Sequence, residues 1–240
     1  MSEWFGTWFD SEFYHILYKD RDYTEAEEFI NTLITHLNPP KSALLHDLAC
    51  GKGRHSLQLN KLGYNVEGSD YSANSIKHAK EFENERLHFF KHDMRESLPR
   101  KYDFIFNLFT SFGYFDTDEE HFETIGHIHH GLKKDGLFIF DYMNVDHVLE
   151  NLIYQYTMEK EGITFDITKE LRNGKIVKDI RFEYKRIPYH FTEQVAALRA
   201  DQLLQIMKDC GFQLKEVFGS YDLTPFDKKA STRLIMILQK

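Results

Sequence analysis

The sequence predicts an α/β fold, a mostly parallel sheet with a small antiparallel β insertion, and three observations carry that expectation. From residue 24 to residue 142 helix-like and strand-like segments alternate, the rhythm of βα units feeding a parallel sheet. The stretch Leu44-Leu45-His46-Asp47-Leu48-Ala49-Cys50-Gly51-Lys52-Gly53-Arg54-His55 reads as a buried strand, a tight turn of small residues and the start of a helix. From Tyr154 the rhythm changes to four β-rich runs, and Asn173-Gly174 between two of them is a strong hairpin-turn signal.

Composition narrows the class. A chain of 240 residues suits one α/β domain with additions, and 21 Phe with 13 Tyr leave aromatics to line a pocket once a core is filled. Net charge is −8 and no basic run reaches five residues, which argues against nucleic-acid or anionic-membrane partners. Cys50 and Cys210 stand far apart without a C-x-x-C pair or a secretory apolar run, so the expectation is a reduced, cytoplasmic protein with no disulfide. His127, His129 and His130 cluster without convergent carboxylates or thiols, so no metal site is expected.

Taken in order, residues 1–23 mix aromatic and polar side chains (Trp4, Phe5, Trp8, Phe9, Phe13, Tyr14, Tyr18, Tyr23) and read either as a packed edge helix or as a lid whose removal leaves a folded domain. Thr24-x-x-Glu27 has the form of a capping box, opening a helix of 3.6 period that Pro39-Pro40 stops. The strand over 43–48 and the helix from Gly53 to Leu62 follow, then a short strand over 65–69 closed by Asp70, a helix over 73–83, and a strand over 87–91 closed by His92-Asp93-Met94. Tyr102 to Asn107 is the next strand, Thr117-x-x-Glu120 caps a helix to about Leu132, and Lys133-Lys134-Asp135-Gly136 turns into a strand over 137–142. The β-rich runs are 154–160, 164–171, 176–184 and 189–195; Leu198 to Cys210 is an amphipathic helix, and the strands 212–221 and 232–238 end the chain.

The chemistry concentrates at strand ends. Ala49, Gly51 and Gly53 permit close ligand approach to the backbone, and a helix N-terminus faces the same turn. A dinucleotide fingerprint needs a small residue where this chain has Arg54, so that pattern is not met. Asp47, Asp70 and Asp93 recur at equal spacing. Asp70 is placed to accept ribose hydroxyls, or else to serve as the acid ahead of the helix that Ser72 opens.

D-x-A-C-G-x-G, with alanine where glycine is usual, resembles motif I of class I S-adenosylmethionine (SAM)-dependent methyltransferases, and the resemblance covers nearly all of residues 25–240. It implies a Rossmann-like seven-stranded sheet with an antiparallel C-terminal strand. It further implies SAM as cofactor, Asp93 accepting from the adenine amine, and Met94 covering the ring. Asn107-Leu108-Phe109-Thr110 replaces the N-P-P-aromatic motif of nucleic-acid and protein amide methyltransferases, so a small-molecule acceptor is implied. The segments Y-H-I-L-Y-K-D-R-D-Y, S-F-G-Y-F and G-S-Y-D-L-T-P-F are similar to those of sugar-nucleotide N,N-dimethyltransferases. With residues 1–23 read as a lid, Tyr14, Tyr18 and Arg21 join the cofactor site, the Arg21 guanidinium pairing with the carboxylate of SAM; the resemblance adds Asp47, Ala49, Cys50, Gly51, Gly53, Arg54, Asp70, Tyr71, Ser72, Asp93, Met94, Asn107, Leu108 and Phe109. Tyr14, His15 and His121 are the candidates for a base.

The chain then divides into an N-terminal segment 1–23, a SAM-binding core 24–150, a β insertion 151–197 that is also a candidate homodimer surface, and a completion of the sheet over 198–240. Two other readings stay open: a nicotinamide-dependent oxidoreductase on a similar sheet, and a SAM-binding protein without catalysis.

Overall fold

The computed structural model describes residues 4–19 and 23–240. Three helices come first, α1 (Trp4–Phe9), α2 (Glu12–Leu17) and α3 (Tyr23–Leu37). The alternating part follows as β1 (Leu44–Leu48), α4 (Arg54–Lys61), β2 (Asn65–Asp70), α5 (Ala73–Ala79), β3 (Leu87–Lys91), β4 (Tyr102–Asn107), α6 (Asp118–Gly131), β5 (Leu132–Met143) and α7 (Val145–Glu150). Four strands come next, β6 (Gln155–Lys160), β7 (Ile163–Arg172), β8 (Lys175–Tyr184) and β9 (Ile187–Ala196), then α8 (Ala200–Asp209), β10 (Gln213–Phe218) and β11 (Arg233–Gln239).

Seven of these strands make one sheet in the order β10-β11-β5-β4-β1-β2-β3, parallel from β5 to β3 and antiparallel at β10 and β11. The central strands are apolar on both faces because helices cover both. Ile105, Phe138, Phe140 and Leu234 pack with Ile125 and Ile128 of α6 and Leu203 and Met207 of α8. Leu45, Val66, Phe106 and Ile139 pack on the other face with Phe29, Ile30 and Leu33 of α3. The order in which strands are added reverses at β1, with β2 on one side and β4 on the other, both parallel to it, and that switch point opens the crevice where α/β sheets take ligands.

The remaining strands form a separate antiparallel sheet, β6-β7-β8-β9. Asn173 and Gly174 take φ of 50° and 73°, as a two-residue hairpin between β7 and β8 demands. Its inner face buries Phe165, Ile167, Ile180 and Phe182 against Trp8, Phe13 and Leu17, so α1 and α2 share a core with it.

Some boundaries differ from expectation. The helix α3 begins at Tyr23, which puts Thr24 inside the first turn, and Glu27 pairs with Lys61 at 2.8 Å. The Thr117 capping box does form. The anticipated turn at Lys133–Gly136 lies within β5 as an irregularity: Tyr102 pairs with Leu132, and the register resumes at Phe104 with Leu137. The short helix α7 has too few residues to show a 3.6 period in sequence. Among the described residues, no helix is long and apolar enough to cross a membrane.

Candidate functional site

The carboxyl ends of β1 to β4 open into a cleft of about 720 Å³. Its floor is the turn after β1, where Ala49, Gly51 and Gly53 take φ of 62°, 56° and 84°. Gly53 is the N-cap of α4, and a Cβ there would come within 2.7 Å of Phe89. A Cβ at Gly51 would meet nothing within 4 Å, so the protein leaves the space beside this residue open. Ala49 holds a left-handed conformation that glycine reaches without steric cost. Asp70 ties this turn to β2: its Oδ2 accepts from the Gly51 amide at 2.8 Å and its Oδ1 from the Ser72 amide at 2.8 Å. Burial raises the Asp70 pKa, against the pull of those two amides.

Several expected contact residues sit behind the cleft rather than in its wall. Asp47 is buried, and its Oδ2 accepts from the Ser56 amide at 3.0 Å and the Ser56 hydroxyl at 2.5 Å, so it anchors the first turn of α4; burial raises its pKa to about 6. Ser72 caps α5 through the Ser75 amide and donates to Asp10 at 2.6 Å. Asn107 is fully buried and donates to the carbonyls of Leu48 and Ser111 at 3.1 and 3.2 Å, which shapes the loop after β4. His121 is packed between the rings of Phe112 and Phe115, at 5.3 and 5.4 Å between centroids, and does not line the cleft. Gly53 is likewise outside the lining, and Arg21 lies outside the described residues.

The wall itself brings together Tyr14, His15, Tyr18, Ala49, Cys50, Gly51, Arg54, Asp70, Tyr71, Asp93, Met94, Leu108 and Phe109. Asp93 meets Arg95, whose Nη2 donates at 2.6 Å; burial pushes the Asp93 carboxyl up, but the Arg95 hydrogen bonds and charge outweigh it and hold the pKa below the usual value. The Arg95 guanidinium also lies 5.3 Å from the Phe115 ring centre. The Arg54 guanidinium lies 4.3 Å from the centre of Phe109, which occupies the left-handed region together with Thr110. Asp141 and Arg233 support that strained pair from beneath: the Phe109 amide donates to Asp141 Oδ2 at 2.7 Å, and Arg233 Nη2 donates to Thr110 Oγ1 at 2.9 Å.

The N-terminal helices and the second sheet close the cleft from above. The Phe5 ring meets Tyr71 and Phe115, Trp4 and Phe9 meet Tyr114, and Asp10 accepts from the Asn74 amide at 3.0 Å. Glu193 of β9 gathers donors from this segment: Trp8 Nε1 at 2.7 Å and Tyr18 OH at 2.7 and 2.8 Å, while Lys178 donates to the same Tyr18 hydroxyl. His15 faces the cleft with its pKa lowered to about 4 by burial and then by Lys52 and His78, so it is neutral at pH 7. His127, His129 and His130 point to separate partners: Ser97, the Phe212 ring and the Gly126 carbonyl. Asp141, Arg233, Lys169, Lys178 and Glu193 have no local sequence signal, and pairing strands in register is what would have found them; Arg95 stands in the loop after β3, two residues from its partner Asp93.

Residues 42–210 match the family described as "Methyltransferase domain". The chain is 27% identical over 214 residues to a glycine/sarcosine N-methyltransferase of Aphanothece halophytica, covering 85% of this chain and 77% of that one. It is 26% identical over 191 residues to a dTDP-3-amino-3,4,6-trideoxy-alpha-D-glucopyranose N,N-dimethyltransferase of Streptomyces venezuelae, covering 76% and 75%. In fold it resembles the crystal structure of an S-adenosylmethionine-dependent methyltransferase from Clostridium acetobutylicum, with a TM-score of 0.79, 18% identity and 94% of each chain covered.

Proposed function

The chain belongs to the methyltransferase domain family, and from that premise we propose that it moves the methyl group of SAM to the nitrogen of a small-molecule acceptor. The observation that carries this reading is the 720 Å³ cleft, which runs from the open space beside Gly51 to the second sheet. The cradle fits the cofactor. Each oxygen of Asp70 accepts one backbone amide and keeps a lone pair for a ribose hydroxyl. Asp93 and Met94 offer an acceptor and an apolar cover, and Phe109 with Leu108 forms the opposite wall. Bound there, SAM supplies a methyl on a sulfonium, a donor already activated for displacement.

The protein's task is then to orient the partners and keep water out. Phe5, Phe9, Tyr14, Tyr114 and Phe115 form an aromatic wall suited to exclusion. An amine acceptor needs only to arrive unprotonated, whereas a hydroxyl needs a base matched to the working pH. His15, at a pKa of about 4, is too weak for that task, which favours nitrogen, as do the N-methyltransferases among the relatives. The apolar side chains exposed on or beside the second sheet, Ile153, Tyr154, Leu171 and Ile187, support a homodimer through this sheet; a monomeric mass by light scattering removes that part of the reading.

The test is mass spectrometry of the ligand retained on purification, followed by methyl transfer to glycine, sarcosine and a dTDP-amino sugar. SAM or S-adenosylhomocysteine is expected. Retained NADH overturns the reading in favour of an oxidoreductase, and tight cofactor binding without transfer to any amine leaves a binding protein.

A further inference from the structure

The strand registers lay three rows of side chains across the inner face of the second sheet. Ile167, Ile180 and Phe191 form one, and Leu171, Ile176 and Val195 another. Between them lies a charged row, Lys169, Lys178 and Glu193. A face that packs on Trp8, Phe13 and Leu17 is an unfavourable place for charge, and this row is where the sheet lines the cleft.

The row is not neutral. Glu193 and Lys178 answer each other at 3.6 Å, and Glu193 already accepts from Trp8 and Tyr18. Lys169 stands half-buried at the cleft, and its ammonium has no hydrogen-bond or ion-pair partner among the described residues. Burial lowers its pKa, with Glu193 opposing. A methionine there would fill the same volume without a desolvated charge, so as it stands the site is complete only when an anion enters. The cofactor cradle lies on the other sheet, at Gly51, Asp70 and Asp93, so the anion belongs to the second ligand.

Resting on the methyltransferase reading, we propose that Lys169 pairs with a carboxylate or phosphoryl group of the methyl acceptor, so that the acceptor is an amine carrying an anionic group. The lysine sets specificity and takes no part in bond making.

The experiment uses the full chain with Lys169→Met and Lys169→Arg, and the probes are acetate and inorganic diphosphate, titrated calorimetrically with and without S-adenosylhomocysteine. Wild type is expected to bind at least one probe saturably; Lys169→Met weakens it at least tenfold, Lys169→Arg restores it, and S-adenosylhomocysteine affinity is the same in all three. Lys169→Met is also expected to melt higher, by about 2–4 °C. No saturable anion binding in wild type, or equal binding in Lys169→Met, overturns the proposal. So does a parallel loss of S-adenosylhomocysteine affinity in Lys169→Met, because the lysine then serves the cofactor's own carboxylate. Failure of wild type to bind S-adenosylhomocysteine at all is a separate result that sinks the methyltransferase reading, while the anion titrations without it still decide the role of Lys169.

Discussion

Arg233 and Asp141 form an ion pair inside the sheet, with Nε donating to Oδ1 at 2.8 Å and Nη2 at 2.7 Å from the same oxygen, while the carboxylate is fully buried. The second oxygen of Asp141 holds the Phe109 amide, so one pair joins β5 and β11 to the strained loop that walls the cleft. Replacing Arg233 by Met strands a buried carboxylate, a loss of about 3–5 kcal/mol. Urea unfolding is the measurement. The double variant Arg233→Met/Asp141→Asn is expected to recover part of that loss, and a single-variant change below about 1 kcal/mol would show that the pair is not structural.

The turn after β1 gives a pair of opposite outcomes. Ala49 takes φ of 62°, so Ala49→Gly relieves left-handed strain and is expected to be neutral to stabilising by up to about 1 kcal/mol, with cofactor affinity unchanged. Gly51→Val puts a branched side chain at a φ of 56° and into the open space of the cradle, so S-adenosylhomocysteine affinity should fall at least tenfold. Calorimetry that shows Gly51→Val binding normally removes the turn from the cofactor site.

Much of this region was legible in the sequence because it is local. Small residues, a strand end and a helix start within a dozen positions fix the turn, and Asp70 follows from the next strand end. What local pattern does not give is where a side chain is spent. Asp47 is at the strand end where an acid was expected, yet its carboxylate goes to Ser56 under the helix; His121 reads as a helix histidine near the site but is enclosed by Phe112 and Phe115. Asp141 with Arg233, and Lys169 with Lys178 and Glu193, exist only once strands distant in sequence pair in register.

Asp47 also makes stability depend on pH. Its folded pKa of about 6 lies above the ordinary value of 3.8, so its contribution is fully present below about pH 3.8 and is lost as pH rises through 6. Asn at this position keeps an oxygen for Ser56 and does not ionise. Relative to wild type, Asp47→Asn should therefore gain stability between pH 4 and pH 8, by roughly 3 kcal/mol at most. Melting temperatures that shift in parallel for the two proteins across this range would show that folding does not raise the Asp47 pKa.

In sequence the aromatic N-terminal segment reads either as a packed edge helix or as a lid whose removal leaves a folded domain. Trp8, Phe13 and Leu17 are buried against the second sheet, and Phe13 packs on Phe182 and Tyr189 at 4.7 Å in each case. Phe13→Ala should cost about 3–5 kcal/mol, the range for a buried ring. Removal of residues 1–19 should leave the sheet face exposed and the protein prone to association, measured by light scattering. A monodisperse truncated protein with an unchanged melting temperature would restore the view of this segment as an optional lid.

The pH dependence of turnover separates an amine acceptor from a hydroxyl. His15 is the histidine of the N-terminal cover that faces the cleft, and with a pKa of about 4 it stays neutral and weakly basic throughout the neutral range. An efficient base titrates near the working pH, which His15 does not. With an amine acceptor, kcat/KM should therefore rise with pH until the acceptor's own ammonium is deprotonated, and the inflection should move when a less basic amine is supplied. His15→Gln alters packing beside Tyr14 and can change KM, but it should leave that inflection where it was. An inflection that disappears in His15→Gln, or that ignores the acceptor's basicity, would assign the proton to the enzyme and point to a hydroxyl acceptor instead.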